Sequence, residues 1–252
     1  MYISYGICTH NESRYVTDLL NKLMGFISKY PGNVKHEIVI LDDYSKDPST
    51  QMVLRQATEK HPLIKVGYRK HEGDFSAQKN ALNEMCSGEW IVNLDADEWI
   101  TEDLMSTIPL ILDQNPAVEA YWVPRVNIVD GLTLRHVRQW QWVLTTLDGF
   151  TKVRTIDPLS EEYELLKSYG YILNEENGYV TYKEPIVLWP DPQMRIYKKS
   201  PKIKWVNRVH ERLMGYEKFG TLPITSEYAI RHFKVIKRQE EQNKLYEEIA
   251  RK

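Results

Sequence analysis

Two aspartates separated by one residue, Asp95-Ala-Asp97, follow the apolar run Trp90-Ile-Val-Asn-Leu94. That spacing lets both carboxylates approach one hard cation, and a cation so held can also take phosphate oxygens. Aspartate also caps helices and favours turns, so the pair by itself leaves a metal site and a turn both open. Polar clusters also lie at Thr9-His-Asn-Glu12, at Asp42-Asp43 and across Gly73 to Asn80. In an open α/β sheet these are the carboxyl ends of strands, where ligands bind.

The elements that must position these residues alternate along the first 100 positions. Tyr2 to Cys8, Glu37 to Leu41, Leu63 to Tyr68 and Trp90 to Leu94 read as strands. Between them, apolar residues at Val16, Leu19, Leu20, Leu23, Met24 and Ile27 fall three and four apart, one face of a helix. Pro31-Gly32-Asn33 ends it, a second helix starts near Pro48, and Ser76 to Met85 is a third. Such alternation predicts an α/β fold, a parallel sheet with helices on both faces. After about residue 115 the pattern changes. Val118 to Val129 reads as one long strand or two, 130–190 as an irregular insertion, 193–232 as short β pieces, and Lys234 to Lys252 as a polar helix.

Taken in order, Thr9-His-Asn-Glu12, Ile38-Val-Ile-Leu-Asp-Asp-Tyr-Ser-Lys-Asp47, Gln78-Lys-Asn80 and Gly88-Glu-Trp-Ile-Val-Asn-Leu-Asp-Ala-Asp-Glu98 resemble the family 2 glycosyltransferases of the GT-A fold. Met194-Arg-Ile-Tyr197, Trp205, Val209-His-Glu211 and Ile230-Arg-His232 are similar to one branch of that family. The resemblance implies a Rossmann-like GT-A sheet with helices on both faces and a C-terminal acceptor-side insertion. Residues 1–115 would be the nucleotide-sugar-binding half and 116–252 the acceptor half, within one domain. It implies Thr9, Asn11 and Glu12 beside the nucleoside and Asp43 on the base, usually uracil. Lys79 stands where the family often has arginine and would meet the diphosphate or the base. Asp95 would meet the ribose or the metal-bound water, Asp97 and His232 would ligate Mn²⁺ or Mg²⁺, and Glu211 would deprotonate the acceptor. The donor would be a UDP-sugar, transferred with inversion by a single in-line displacement. The residues alone also admit plainer roles: Asp43 as a turn cap, Lys79 as a solvated helix residue, His232 as a core or surface histidine, and Glu211 paired with Arg208 or Arg212.

The 252 residues carry a formal net charge of −2, and that average hides a split. Residues 1–120 hold 11 Lys and Arg against 18 Asp and Glu, whereas 121–252 hold 22 against 17. Arg195, Lys198, Lys199, Lys202, Lys204, Arg208, Arg212 and Lys218 crowd around Glu211. The cluster suggests an anionic acceptor, with Arg195, Arg208, Trp140 and Trp142 as candidate contacts. A solvated charged face is the competing account. Small enzymes of this family in large phages suggest hydroxymethylcytosine DNA as that acceptor, with a saccharide acceptor of cell-surface glycan or lipopolysaccharide synthesis, or a non-catalytic nucleotide-sugar-binding protein, as alternatives. No apolar run is long enough to span a membrane, and the N-terminus has no basic, apolar leader pattern. Two cysteines are too few for a disulfide framework. The expected location is therefore the cytoplasm, that of the host if a phage encodes the chain.

Overall fold

Strand β1 (Tyr2–Thr9) turns Ile3, Tyr5 and Ile7 to one face of a seven-stranded sheet, the period-two pattern that buries alternate side chains. The computed structural model describes residues 1–30, 32–132, 134–145, 152–153, 164, 172–173, 180–181 and 186–250. In chain order β1 is followed by α1 (Ser13–Lys29), β2 (Lys35–Asp42), α2 (Pro48–Lys60), β3 (Ile64–Tyr68), α3 (Phe75–Met85) and β4 (Trp90–Asp95). Strands β1 to β4 run parallel, with β1 central between β2 and β4. Ile3, Ile7, Ile38, Ile40, Val92 and Leu94 meet Val16, Leu19 and Leu23 of α1 and Leu54 of α2. On the opposite face Val39, Leu41 and Ile91 pack on Leu82 and Cys86, the latter just beyond the end of α3. Helices on both faces match the expected class.

The caps explain where the helices start. Asp47 accepts hydrogen bonds from the Ser49 and Thr50 amides ahead of α2, and Asp74 accepts one from Ala77 ahead of α3. Glu12 stands at the cap of α1 but makes no capping bond, which leaves its carboxylate for other partners. Helix α4 (Glu102–Gln114), capped by Thr101, is absent from the sequence-based expectation. Its buried Leu104, Met105, Ile108 and Leu112 nonetheless carry the helical period.

The predicted stretch from Val118 to Val129 is two strands, β6 (Ala120–Val123) and β7 (Arg125–Asp130), parted at Pro124. Proline has no amide to donate to a ladder, and here the chain passes from one sheet to another. Strand β6 joins the first sheet, and β7 enters a second sheet with β5 (Glu98–Trp99). Helix α5 (Leu134–Gln139) and the short strands β8 (Leu144–Thr145), β9 (Lys152–Val153), β10 (Ile172–Leu173), β11 (Val180–Thr181) and β12 (Ile186–Val187) follow. Most of the predicted insertion at 130–190 lies outside the described residues. Beyond it come β13 (Gln193–Lys198), β14 (Lys204–Val206), β15 (Arg212–Met214), β16 (Phe219–Thr221), β17 (Ile230–Val235) and α6 (Ile236–Ala250). The first sheet has the order β16-β6-β13-β4-β1-β2-β3, with β13 antiparallel to both neighbours. In the second, β17 lies between β5 and β7, which carries residues near the C-terminus to the loop after β4. No helix among the described residues is long and apolar enough to cross a membrane.

Candidate active site

A cleft of about 1420 Å³ opens where β1, β2 and β4 end, between the two sheets. That exceeds the range of about 300–1,000 Å³ usual for drug-sized ligands and leaves room for a larger one. Thr9, Glu12, Asp43, Lys79, Asp95, Asp97, Glu211 and His232 all line it. Residues as far apart in the chain as Thr9 and His232 thus share one surface.

Asp97 and His232 face each other because β17 pairs with β5, placing His232 opposite Glu98 and linking the Phe233 amide to the Asp97 carbonyl at 3.0 Å. His232 Nε2 lies 3.5 Å from Asp97 Oδ1. The other ring nitrogen, Nδ1, donates to Asn127 Oδ1 at 3.0 Å, which fixes the ring with Nε2 turned toward Asp97. Two adjacent ligands of an octahedral cation stand roughly 3 Å apart, so this pair fits a divalent ion. Among the described residues no group of three or more His, Cys, Asp or Glu is arranged to hold a metal. Further ligands would have to come from a bound molecule and water. Burial disfavours the Asp97 charge, but His232 beside it outweighs that and holds the carboxyl below its ordinary range.

Asp95 belongs to a separate charge network. Its Oδ2 accepts from Arg195 Nη2 at 2.7 Å, and Lys79 Nζ lies 4.0 Å from Oδ1. Against the opposing effect of burial, Arg195 and then Lys79 hold its carboxyl well below the usual carboxylate range. Arg195, the expected acceptor contact, lines the cleft but is engaged internally. It is 3% exposed, sits on β13, an interior strand between β6 and β4, and braces Asn93, Asp95 and Glu98. A strand covered on both sides leaves an arginine no route to water, so it must be paired internally. Glu98 is fully buried. It also accepts from the Asp95 amide at 3.0 Å and from Arg125 at 3.0 Å, and Arg125 in turn binds Asp191.

Lys79 is paired as well. Its ammonium donates to Glu211 Oε1 at 2.6 Å and lies 4.5 Å from the centroid of the Trp205 ring. The residue expected to meet a diphosphate or base is thus held in a buried ion pair at the cleft wall. Burial pushes the Glu211 carboxyl up, but the charge and hydrogen bond of Lys79 prevail and set it below the ordinary glutamate value.

At the β1 end, Glu12 Oε2 accepts from the Thr9 hydroxyl at 3.3 Å and the His10 amide at 3.2 Å, while Oε1 accepts from Arg238 of α6. Burial and the charge of Asp97 raise the Glu12 carboxyl above its ordinary value, against the pull of Arg238. Asp43 lines the cleft and accepts from the His71 amide at 2.8 Å. Asn11 does not line it. Its carbonyl oxygen accepts from the Lys46 and Asp47 amides at 2.8 and 2.9 Å, and its own amide donates to Ser45. The expected nucleoside contact is therefore corrected to a clamp on the loop after β2.

Trp140 and Trp142 line the far wall with ring centroids 4.9 Å apart, packed on Val129, Leu144 and Ile236. Arg208 is exposed and outside the lining; its carbonyl accepts from the Phe75 amide at 2.9 Å. The basic cluster is thinner than its sequence. Arg195 is buried, Lys198 donates to the Pro116 carbonyl and Lys199 to that of Cys86. Lys202, Lys204, Arg212 and Lys218 remain exposed around the hairpin of β14 and β15. Sequence reasoning assigned no role to Glu98, Arg125, Asn127, Asp191 or Arg238. Arg125 and Asn127, two apart on an apolar strand, were the available signal, since polar residues on one buried face need partners.

The chain spans between 11% and 32% of the length of the curated relatives it matches. It is 29% identical over 101 residues to the SPbeta prophage-derived glycosyltransferase SunS of Bacillus subtilis, covering 40% of this chain and 21% of that protein. It is 25% identical over 116 residues to the poly(ribitol-phosphate) β-N-acetylglucosaminyltransferase TarS of Staphylococcus aureus, covering 46% and 19%. Among solved structures, residues 1–349 of S. aureus TarS align over 70% of this chain and 51% of that one, at 21% identity and a TM-score of 0.40. The mannosyltransferase PcManGT of Pyrobaculum calidifontis, in complex with GDP-Man and Mn²⁺, aligns over 49% and 35%, at 23% identity and a TM-score of 0.42. The model of glycosyl transferase family 2 matches residues 4–166, most of the chain and the strand ends at Thr9, Asp42 and Asp95, and the chain belongs to that family.

Proposed function

We propose that this chain transfers a sugar, with inversion, from a UDP-sugar to a hydroxyl of an anionic acceptor, assisted by Mn²⁺ or Mg²⁺. The observation that carries the reading is the cleft in which Asp43, the Asp97–His232 pair and Glu211 converge from four separate parts of the chain. Thr9 and Asp43 would hold the nucleoside at the β1 and β2 ends. Asp97 and His232 would hold the cation, which would neutralise charge growing on the leaving diphosphate. Glu211, kept ionised by Lys79, takes the proton of the acceptor hydroxyl as its oxygen bonds to the anomeric carbon and the bond to the diphosphate breaks. Residues 1–115 serve mainly the donor and 116–252 mainly the acceptor, with His232 crossing to the donor side on β17.

Arg212, which follows Glu211 and lines the cleft, and the exposed Lys202, Lys204 and Lys218 around the same hairpin support a polyanionic acceptor. Hydroxymethylcytosine DNA is the favoured candidate; it would have to present the base unstacked. TarS, a relative named for poly(ribitol phosphate), makes a phosphodiester polymer the natural comparison.

The test is release of UDP from a panel of UDP-sugars with Mn²⁺ or Mg²⁺. Parallel reactions contain hydroxymethylated duplex DNA, a polyol-phosphate polymer or a neutral saccharide. Stimulation by one polyanion identifies the acceptor class, and its loss with rising salt is required of phosphate contacts. Stimulation by the neutral saccharide alone would overturn the anionic acceptor. Asp97→Ala and Glu211→Gln should each abolish release; full turnover in either would refute its assignment.

A further inference from the structure

Arg238 lies in the first turn of α6, the element that closes one side of the cleft. Its guanidinium binds Glu12 Oε1 and stands 3.9 Å from Asp97 Oδ2, with the Tyr15 ring 5.9 Å away. Unlike the other cations around the Asp95–Asp97 loop, it is not sequestered. Its side chain is 46% exposed, against 3% for Arg195 and 7% for Lys79. The rest of α6 is anchored elsewhere: Ile236 packs on Val129 and Leu144, and Tyr246 stacks edge-on between Phe75 and His210. The helix therefore holds the start of the Arg238 side chain in place while its charged end stays free to turn.

We propose that Arg238 is a diphosphate-binding residue, which exchanges its contacts with Glu12 and Asp97 for the phosphate oxygens of the donor. The inference rests on the nucleotide-sugar reading above. An anion bound beside Asp97 comes within reach of a guanidinium 3.9 Å from that carboxylate. Guanidinium offers a planar fork of donors matched to phosphate oxygens, and its weak hydration lowers the cost of exchanging one anion for another. The Glu12 it leaves is not stranded, because the Thr9 hydroxyl and the His10 amide still donate to it and burial already favours its protonated form.

The experiment measures binding of UDP and of uridine, with Mn²⁺ present, to wild type, Arg238→Met and Arg238→Lys. Tm of each protein is recorded alongside. Arg238→Met should weaken UDP by about 10- to 100-fold, the range of a charge-assisted hydrogen bond, and leave uridine unchanged. Arg238→Lys, which keeps the charge but not the fork, should recover part of the loss. Unchanged or tighter UDP binding by Arg238→Met would overturn the proposal, as would equal losses for UDP and uridine. If Arg238→Met does not fold, Arg238→Lys carries the test through the same ratio of UDP to uridine affinity. Wild type that binds no UDP would overturn the donor reading and this inference with it, whereas intact binding in the variants would overturn the role of Arg238 alone.

Discussion

Replacing Lys79 with methionine removes the counter-charge of Glu211 while keeping the length of the side chain over Trp205. The ammonium lies 2.6 Å from Glu211 Oε1 and 4.0 Å from Asp95 Oδ1, and the two ends of the closer pair are only 7% and 17% exposed. An opposite charge at such range lowers a carboxylate by about one to three pH units, and each unit corresponds to ~1.4 kcal/mol. Without Lys79, burial and the charge of Asp95 are opposed only by the backbone amide of Glu211, and its carboxyl moves above the unfolded value near about 4.3. Asp95 keeps Arg195 and moves less. The sign follows. In wild type the depressed Glu211 adds stability that is present above the unfolded value and lost as pH falls through the folded one. In the variant the raised Glu211 subtracts stability as pH rises from about 4.3 through its new value. The variant should therefore be about 2–4 kcal/mol less stable at pH 8, roughly 5–10 °C in Tm for a chain of this size. The difference should shrink as pH falls toward about 4.3, because the variant's raised carboxyl takes up a proton there while the depressed wild-type carboxyl stays ionised. Thermal unfolding of both proteins across pH 5–8 measures it, and the acid limb of UDP release should move up by the same one to three units. A Tm difference that is the same at pH 5 and pH 8, with an unmoved acid limb, would refute the argument that Lys79 sets the charge of Glu211.

Asn127→Ala removes the acceptor that fixes His232 Nδ1, so Mn²⁺ affinity measured with UDP present should fall about 10- to 100-fold; unaltered affinity would show that Asn127 does not orient the ligand. Lys234 is held down to about 8, first by burial and then by Arg125. Between pH 8 and 9.5 the unfolded chain holds a proton there that the folded chain lacks, so wild-type Tm should gain a contribution that rises over this window and Lys234→Met should lose it. Gly88→Ala would place a Cβ 2.7 Å from the Ser4 amide nitrogen and 2.9 Å from the Tyr2 carbonyl oxygen, both backbone atoms of β1. It should cost about 1–3 kcal/mol in urea unfolding, since the strand cannot yield as a flexible side chain would.

What the sequence disclosed follows from the range of the interactions involved. Strands β1 to β4 and helices α1 to α3 were legible because their periods and caps are local, and so were the acids at their ends. The two faces of β2 illustrate this: Ile38 and Ile40 point to α1 and α2, Val39 and Leu41 toward α3. Asn11 misled because a polar residue at a strand end serves equally as ligand or as loop clamp, and the choice depends on Lys46 and Asp47 more than 30 residues away. Arg195 misled for a similar reason. Its neighbours in sequence are basic and exposed, but β13 lies between β4 and β6, a position set by pairings about 70 and 100 residues distant. The partners of His232 and Glu211 were equally hidden, since Asn127 and Lys79 are 105 and 132 positions away.

The charge split along the chain acquires a physical meaning from these pairings. The acids of the first half do not wait bare for a cation; each cleft carboxylate near the phosphate region already has an internal partner, Lys79 or Arg195 for Asp95, Arg238 for Glu12, and His232 with Arg238 for Asp97. On the proposed reading, binding a cation and a diphosphate together would be an exchange among neutralised groups, with little change in the net charge of the site. Exchange is cheap only where the displaced partner can reach water or the incoming anion. Arg195 and Lys79 are enclosed and stay with their carboxylates, which fixes the frame of the site. Arg238 is half in solvent and can follow the diphosphate. A site built this way should bind the cation and the nucleotide diphosphate with strong mutual dependence, because Asp97 is released from Arg238 only when the anion that takes Arg238 arrives.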